Sequence, residues 1–165
     1  AIRLVRSRAK ELSIDPNKIG VIGFSAGGYL VAQASNLFES TYDPVDAVDK
    51  VSSRPDFAVA LYPGHLCRSG GILDPDIHVT KQTPPTFLLQ AWDDPVDEIC
   101  NSVLYAQALD AAGVSAEVHL FAKGGHAFGL RRTGDPVSSW PLLVENWLRT
   151  IAILKPAVFP QPDEG

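Results

Sequence analysis

Three residues of the sequence have the side-chain types needed for acyl transfer through a serine. They are Ser25, His126 and one of the neighbouring carboxylates Asp93 and Asp94. A serine hydroxyl is a poor nucleophile until a base within hydrogen-bond reach removes its proton. Histidine, with an ordinary pKa of about 6.5, can take that proton and later return it to a leaving group. A carboxylate holds the imidazole in the correct tautomer and stabilises the imidazolium.

Ser25 lies at the centre of a glycine-bracketed motif, Gly23-Phe-Ser-Ala-Gly27. An apolar run over 19–24 precedes the serine, and a segment of helical composition follows it. A strand, a sharp turn with a central serine and a helix together predict a nucleophile elbow. We expect side chains at Gly23 and Gly27 to collide with the adjoining strand or helix. The amide of Ala26, the residue after the nucleophile, is the predicted donor to an oxyanion.

The elements that must position these residues alternate between strand and helix. Apolar runs predict strands at 19–24, 56–62, 85–91 and 115–122. Amphipathic spacing and composition predict helices at 1–12, 25–38, 98–112 and 139–154. Such alternation predicts the α/β class, with a parallel sheet flanked by helices. Ligand sites of such sheets lie at the carboxyl ends of the strands. Ser25, the Asp93–Asp94 pair and His126 each follow a strand, so we expect them at one edge of the sheet.

The long connection at 64–83 is a candidate substrate-binding segment. Connections of this length in compact domains are often functional. His65 lies in this connection and could line a substrate pocket. Trp92, which is adjacent to the candidate acids, could form another wall of that pocket.

The two cysteines, Cys67 and Cys100, both follow predicted strands. Two cysteines are compatible with a single disulfide or with two free thiols, and we expect two reduced, buried thiols. The sequence contains neither a C-x-x-C nor an H-x-x-x-H spacing, so we expect no metal site. None of the motifs implies a cofactor.

Composition and charge exclude several classes of partner. The 165 residues are 45% hydrophobic and 20% charged, as in an ordinary globular domain. The net charge of −5 argues against nucleic acid or an anionic membrane as a partner, because both require a basic patch. No apolar run approaches the roughly 20 residues of a membrane helix, and no signal-peptide pattern is visible at the start. We therefore expect a soluble protein, and its compartment stays open.

Three segments of the sequence resemble the α/β-hydrolase family: Gly23-Phe-Ser-Ala-Gly-Gly28, 84–96 and Gly124-Gly-His-Ala-Phe-Gly129. The resemblance is to the branch of bacterial acetyl esterases and acetylxylan or feruloyl esterases, whose triads follow the order Ser, Asp, His. The family places its acid three residues after the small residue that ends the strand. Counted from Ala91, that residue is Asp94, and Asp93 then bonds the turn. Asp97 and Glu98 depart from the family pattern and place a second carboxylate pair near the acid.

The resemblance implies a serine esterase acting on short-chain, acetyl-type esters, with acylated plant-wall carbohydrates among the candidate substrates. It covers residues 1–153 but matches only the C-terminal part of such an enzyme. We therefore expect a partial catalytic domain at 1–155 without the N-terminal strands, and a flexible tail at 156–165. The alternatives are a peptidase similar to prolyl oligopeptidases and a non-catalytic fragment. The fragment is an alternative because the family's His-Gly-Gly loop, its second oxyanion donor, has no counterpart.

We predict that the strand at 19–24 lies at an exposed sheet edge and joins two copies of the chain in a homodimer. Its apolar residues are typical of a central strand, and exposed edges of that kind pair readily with another chain. The prediction equally allows a marginally stable, aggregation-prone chain, and the alternative is a longer natural protein that supplies the missing strand. Sedimentation velocity over a wide concentration range tests the prediction. A stable, soluble monomer throughout that range would contradict it.

Overall fold

The computed structural model describes residues 1–157, so nearly all of the predicted tail lies outside the described residues. The strands are β1 (Gly20–Phe24), β2 (Phe57–Leu61), β3 (Cys67–Arg68), β4 (Ile72–Leu73), β5 (Thr86–Ala91) and β6 (Ala116–Phe121). The helices are α1 (Ile2–Ser7), α2 (Ala26–Asn36), α3 (Cys100–Ala111) and α4 (Trp140–Thr150), with a 3-10 turn at Pro136–Ser139.

Four strands form one parallel sheet in the order β1, β2, β5, β6. The predicted α/β class is thereby confirmed. The interior strands β2 and β5 are almost completely buried, as expected for parallel strands covered by helices on both faces. Strands β3 and β4 form a small antiparallel hairpin within the long connection after β2.

The sheet is covered on both faces, so alternate residues of a strand enter different cores. On one face, Phe87 of β5 packs in a cluster with Trp147 of α4. On the other face, Leu88 packs with Tyr105 and Leu109 of α3. Successive side chains of a strand point to opposite faces, which is why neighbouring residues of β5 serve both layers. This two-sided burial keeps the strand ends, and the loops that follow them, in place.

Two helices end earlier than the sequence predicts. We expected helices to residues 12 and 154, but α1 ends at Ser7 and α4 at Thr150. Beyond each helix the chain makes a turn in which a residue has a positive φ, 55° at Ser13 and 60° at Ala152. Glycine is the usual residue in such a turn, and neither position has one. The sequence therefore lacked the signal that marks these ends.

Cys67 and Cys100 form a disulfide, so the expectation of two reduced thiols was wrong. The bridge links β3 to the first residue of α3. The side-chain oxygen Oδ1 of Asn101 accepts hydrogen bonds from the backbone amides of Leu66 and Cys67, each at 2.8 Å. These bonds draw the start of the hairpin against the start of α3 and place the two sulfurs together. Nothing in the spacing of the cysteines indicates this contact.

Strand β1 lies at one edge of the sheet as described by residues 1–157, with β2 as its neighbour. The side chain of Ile22 is 53% exposed there. A groove of about 830 Å³ lies beside this edge, and Leu4, Leu30 and Leu37 are among the residues that line it. The predicted edge is therefore present, and the homodimer stays a prediction.

Across residues 1–157, we find no helix that is both long and apolar enough to cross a membrane. Within the same residues, no three or more His, Cys, Asp or Glu side chains are grouped so that they could hold a metal ion.

Reduction of the Cys67–Cys100 disulfide should lower the free energy of unfolding. The bridge joins residues 33 apart in sequence, and closing a loop of that size contributes about 2–4 kcal/mol through the unfolded chain. Urea denaturation with and without reductant measures the difference. The double variant Cys67→Ser/Cys100→Ser is the control, since its urea midpoint should match that of the reduced protein and should not change when reductant is added. Equal midpoints for the oxidised and reduced wild type would refute the prediction.

Candidate active site

Ser25 occupies a strained turn between β1 and α2. Its φ is 56° and its ψ is −119°, a conformation that costs a non-glycine residue about 1–3 kcal/mol. The Ser25 amide donates to the Leu61 carbonyl at 3.0 Å, and the Ser25 carbonyl accepts from the Gly64 amide at 3.2 Å. These bonds fasten the strained residue to the end of β2. The sharp strand-to-helix turn predicted at Ser25 is therefore present.

The glycines around Ser25 have different roles from those predicted. A Cβ at Gly23 would overlap the Gly27 carbonyl, so the expected collision at Gly23 is confirmed. At Gly27 the expectation was wrong, because a Cβ there would meet no atom within 4 Å. The second close approach is at Gly28, where a Cβ would lie 2.9 Å from the Cα of Pro63. The close approach of Pro63, in the loop after β2, therefore makes Gly28 rather than Gly27 the position that excludes a side chain.

A continuous hydrogen-bonded chain joins Ser25, His126 and Asp94. Nε2 of His126 lies 2.9 Å from the Ser25 hydroxyl, and Nδ1 lies 2.8 Å from Oδ2 of Asp94. The Asp94 side chain is only 1% exposed, and its other oxygen accepts from the amides of Val96 and Asp97. The carboxylate is thus fixed from both sides. The arrangement can activate the serine hydroxyl as a nucleophile.

The neighbouring carboxylate, Asp93, holds the histidine loop. Its Oδ1 accepts the backbone amides of Gly124 and Gly125 at 2.9 and 2.8 Å. Gly125 has a φ of 61°, which glycine adopts without steric cost. The two adjacent aspartates therefore divide the work: Asp94 contacts the imidazole, and Asp93 positions the loop that carries it.

Tyr62 packs against the imidazole, whereas its sequence signal indicates only the end of a strand. The two rings meet edge to face, with centroids 4.9 Å apart. Burial raises the pKa of Tyr62, so its hydroxyl stays neutral through the physiological range. The ring of Phe128 packs edge to face with the ring of Tyr62, and their centroids are 4.5 Å apart. Only the position of Tyr62 directly after a predicted strand could have marked it.

Asp97 brings a third carboxylate to the site. Its Oδ2 accepts a hydrogen bond from the Ser25 hydroxyl at 3.3 Å and lies 3.8 Å from Nε2 of His126. The serine hydroxyl has one proton, so Asp97 and the imidazole compete for it. The sequence placed Asp97 near the acid but gave no indication of its contact with the nucleophile.

A cavity of about 580 Å³ adjoins Asp97. Its lining includes His65, both half-cystines of the Cys67–Cys100 bridge, and Glu98. His65 therefore lines a cavity beside Asp97, and its part in binding a substrate stays a prediction. The side chain of Trp92 is 61% exposed and is not part of this lining. The structure does not bring the two predicted pocket residues together, since the Trp92 side chain extends into solvent beyond the end of β5.

A buried carboxylate supports the wall of this cavity. Asp74 accepts hydrogen bonds from the Tyr29 hydroxyl at 2.7 Å and from the Arg68 guanidinium at 2.5 Å. Burial opposes ionisation of Asp74, but these two bonds outweigh it and keep its pKa below the ordinary range. The charge of Arg68, which also lines the cavity, is thus largely committed to Asp74.

The fold and the serine turn define the class of protein: the chain has the α/β-hydrolase fold. A family model described as BD-FAE matches residues 1–61. The chain is 28% identical to the acetylxylan esterase of Xylanibacter ruminicola over 173 residues, which cover 90% of the chain and 34% of the relative. The chain therefore spans about a third of the length of that relative.

Two solved structures show the same fold. The acetyl ester-xyloside bifunctional hydrolase of Caldicellulosiruptor lactoaceticus is 38% identical, with a TM-score of 0.84, and the match covers 93% of this chain and 64% of that one. The thermophilic esterase Est2 of Thermogutta terrifontis is 26% identical, with a TM-score of 0.79, over 96% and 64% of the two chains.

Replacing the carboxylate that contacts His126 should slow covalent labelling of Ser25 by a fluorophosphonate probe. We expect Asp94→Asn to reduce the labelling rate roughly 1,000-fold or more, because an amide stabilises the wrong imidazole tautomer. Asp93→Asn is the matched control: it removes the same charge one residue away and should cost far less, because Asp93 acts only on the loop. Mass spectrometry of the labelled peptide gives the rates. Equal effects of the two substitutions would contradict the assigned roles.

Proposed function

We propose that this chain carries the catalytic centre of a serine carboxylic-ester hydrolase. The observation that carries the proposal is the hydrogen-bonded chain from the Ser25 hydroxyl through His126 to Asp94. The similarity to an acetylxylan esterase and to an acetyl ester hydrolase supports the same reaction class. In this proposal Ser25 is the nucleophile, His126 the general base and Asp94 the orienting acid.

The reaction proceeds through an acyl-enzyme. His126 Nε2 takes the proton of Ser25 as the serine oxygen bonds to the carbonyl carbon of the ester. The carbon–oxygen bond to the alcohol then breaks, and Nε2 gives its proton to the departing alcohol oxygen. Water attacks the acyl-serine in the same way: it loses a proton to Nε2, and the serine oxygen recovers that proton as the acid is released.

The amide of Ala26 supplies one donor to the oxyanion. Ala26 is the first residue of α2, and the first amides of a helix have no carbonyl partner within it. Loss of one of two oxyanion donors typically costs roughly 100- to 1,000-fold in turnover. Since the sequence predicts no counterpart of the family's second donor, we expect modest turnover from this chain.

The proposed substrates are short-chain, acetyl-type esters, including acetylated plant-wall carbohydrates. The substrate class is supported by the names of the relatives rather than by contacts of the site. A small ester or acylated sugar is also the only partner that the proposal requires.

Hydrolysis of p-nitrophenyl acetate by the wild type and by Ser25→Ala tests the proposal. We expect Ser25→Ala to abolish the enzyme-dependent rate, because it removes the hydroxyl that Nε2 of His126 contacts.

Ser35→Ala is the matched control for this experiment. It removes a hydroxyl of the same kind from the buried face of α2, away from the triad, and should retain activity. A wild type no faster than Ser25→Ala would favour the non-catalytic alternative.

A further inference from the structure

We propose that Asp97 is a specificity-determining residue, which favours esters of neutral alcohols bearing a neighbouring hydroxyl group and disfavours esters of anionic alcohols. This inference rests on the proposed function, because it concerns the alcohol that leaves when Ser25 is acylated. It goes further by naming the residue that discriminates between alcohols and the two properties on which it acts, the charge of the alcohol and its neighbouring hydroxyl group.

Asp97 lies close to the nitrogen that supplies the proton to the departing alcohol. The departing oxygen takes its proton from Nε2 of His126, so it must come within about 3 Å of that nitrogen. Oδ2 of Asp97 lies 3.8 Å from the same nitrogen. The departing oxygen therefore lies within roughly 7 Å of the carboxylate, and groups on the adjacent carbon can come closer.

The backbone of Asp97 is held by hydrogen bonds on both sides, and its side chain is confined by packing. The Asp97 amide donates to Asp94 at 3.0 Å, and the Asp97 carbonyl accepts from the side chain of Gln90 at 2.7 Å. A Cβ at Gly64 would lie 2.5 Å from the Asp97 side chain, so the carboxylate packs directly against that backbone. A side chain fixed in this way discriminates between ligands at little entropic cost.

The cavity beside Asp97 contains more acidic than free basic side chains. Its other charged groups are Glu98, which adds a negative charge, and Arg68, whose positive charge is committed to Asp74. His65 is the remaining titratable side chain in the lining, because the disulfide-bonded cysteines do not titrate. The cavity therefore presents carboxylates with little compensating positive charge. An alcohol hydroxyl can donate to Asp97, whereas an anionic alcohol is repelled.

Two matched pairs of esters test the inference. Methyl 3-acetoxybenzoate and 3-acetoxybenzoate share the acetyl group and the phenol framework, and their departing phenols differ in charge at the meta substituent. The acetates of 2-hydroxyethanol and 2-methoxyethanol share a similar chain and differ in having a hydroxyl donor. For the wild type at low ionic strength, we expect kcat/KM to favour the neutral ester of the first pair and the hydroxyl-bearing ester of the second.

Two substitutions separate charge from hydrogen bonding. Asp97→Asn removes the charge but retains an acceptor, and Asp97→Leu removes both at similar size. Both should reduce the preference for the neutral ester roughly tenfold, an effect that added salt should also weaken. Only Asp97→Leu should abolish the preference for the hydroxyl-bearing ester, which we expect to be about tenfold in the wild type. These are ratios between substrates, so a general loss of activity does not move them.

Asp110→Asn is the control, because it changes the net charge of the chain equally. Asp110 is exposed in the last turn of α3, about 15 Å along the helix from Cys100. Its substitution should therefore leave both substrate ratios unchanged. Unchanged ratios in both Asp97 variants of an active enzyme would overturn the inference and leave the proposed function standing. A wild type that hydrolyses none of the four esters would overturn both.

Discussion

The site depends on a strained residue that is held between two strands. Ser25 has a backbone conformation that an isolated chain would avoid, and it keeps it because its amide and carbonyl are both bonded to the segment that ends β2. Gly23 permits the turn to close, since any side chain there would overlap the Gly27 carbonyl. Pairing of β1 with β2 therefore presents the serine hydroxyl above the sheet edge. His126 and Asp97 can reach that hydroxyl only because the turn raises it.

The segment after β5 places three carboxylates within five residues and gives each a different environment. Asp93 accepts two amides of the histidine loop, Asp94 is buried against the imidazole, and Asp97 meets the serine hydroxyl. They are kept apart by backbone bonds, since one oxygen of Asp94 accepts the amides of Val96 and Asp97. A tight turn thus gives the three carboxyl groups separate contacts, with the histidine loop, the imidazole and the serine hydroxyl.

The cavity beside the serine is built by groups that lie far from it in sequence. Asn101 gathers the hairpin and the start of α3, and the Cys67–Cys100 bridge joins them covalently. Buried Asp74 ties Arg68 and Tyr29 together beneath the same wall. The positive charge of Arg68 is occupied by this support. Asp97 and Glu98 are the carboxylates in the lining of this cavity.

The sequence alone determined the class of the fold and the chemical types at the site. Hydrophobic patterning predicted the four strands of the main sheet to within about one residue at each end. The interior strands β2 and β5 are buried on both faces and are therefore largely apolar, whereas β6 alternates exposed and half-buried residues. The rule that ligand sites follow parallel strands selected Ser25, the Asp93–Asp94 pair and His126. The resemblance favoured Asp94, and the structure brings Ser25, His126 and Asp94 into contact.

Only the tertiary structure decided the features that arise between distant segments. The roles of Gly27 and Gly28, the disulfide, the packing of Tyr62 on the imidazole and the contact of Asp97 with Ser25 all depend on which surfaces meet. Local sequence signals could not reveal them, because each contact joins residues of separate segments. Neither segment requires that contact to form its own strand, helix or turn. The ends of α1 and α4 were misjudged for a related reason: their turns use Ser13 and Ala152, which become acceptable there only because the surrounding structure holds them.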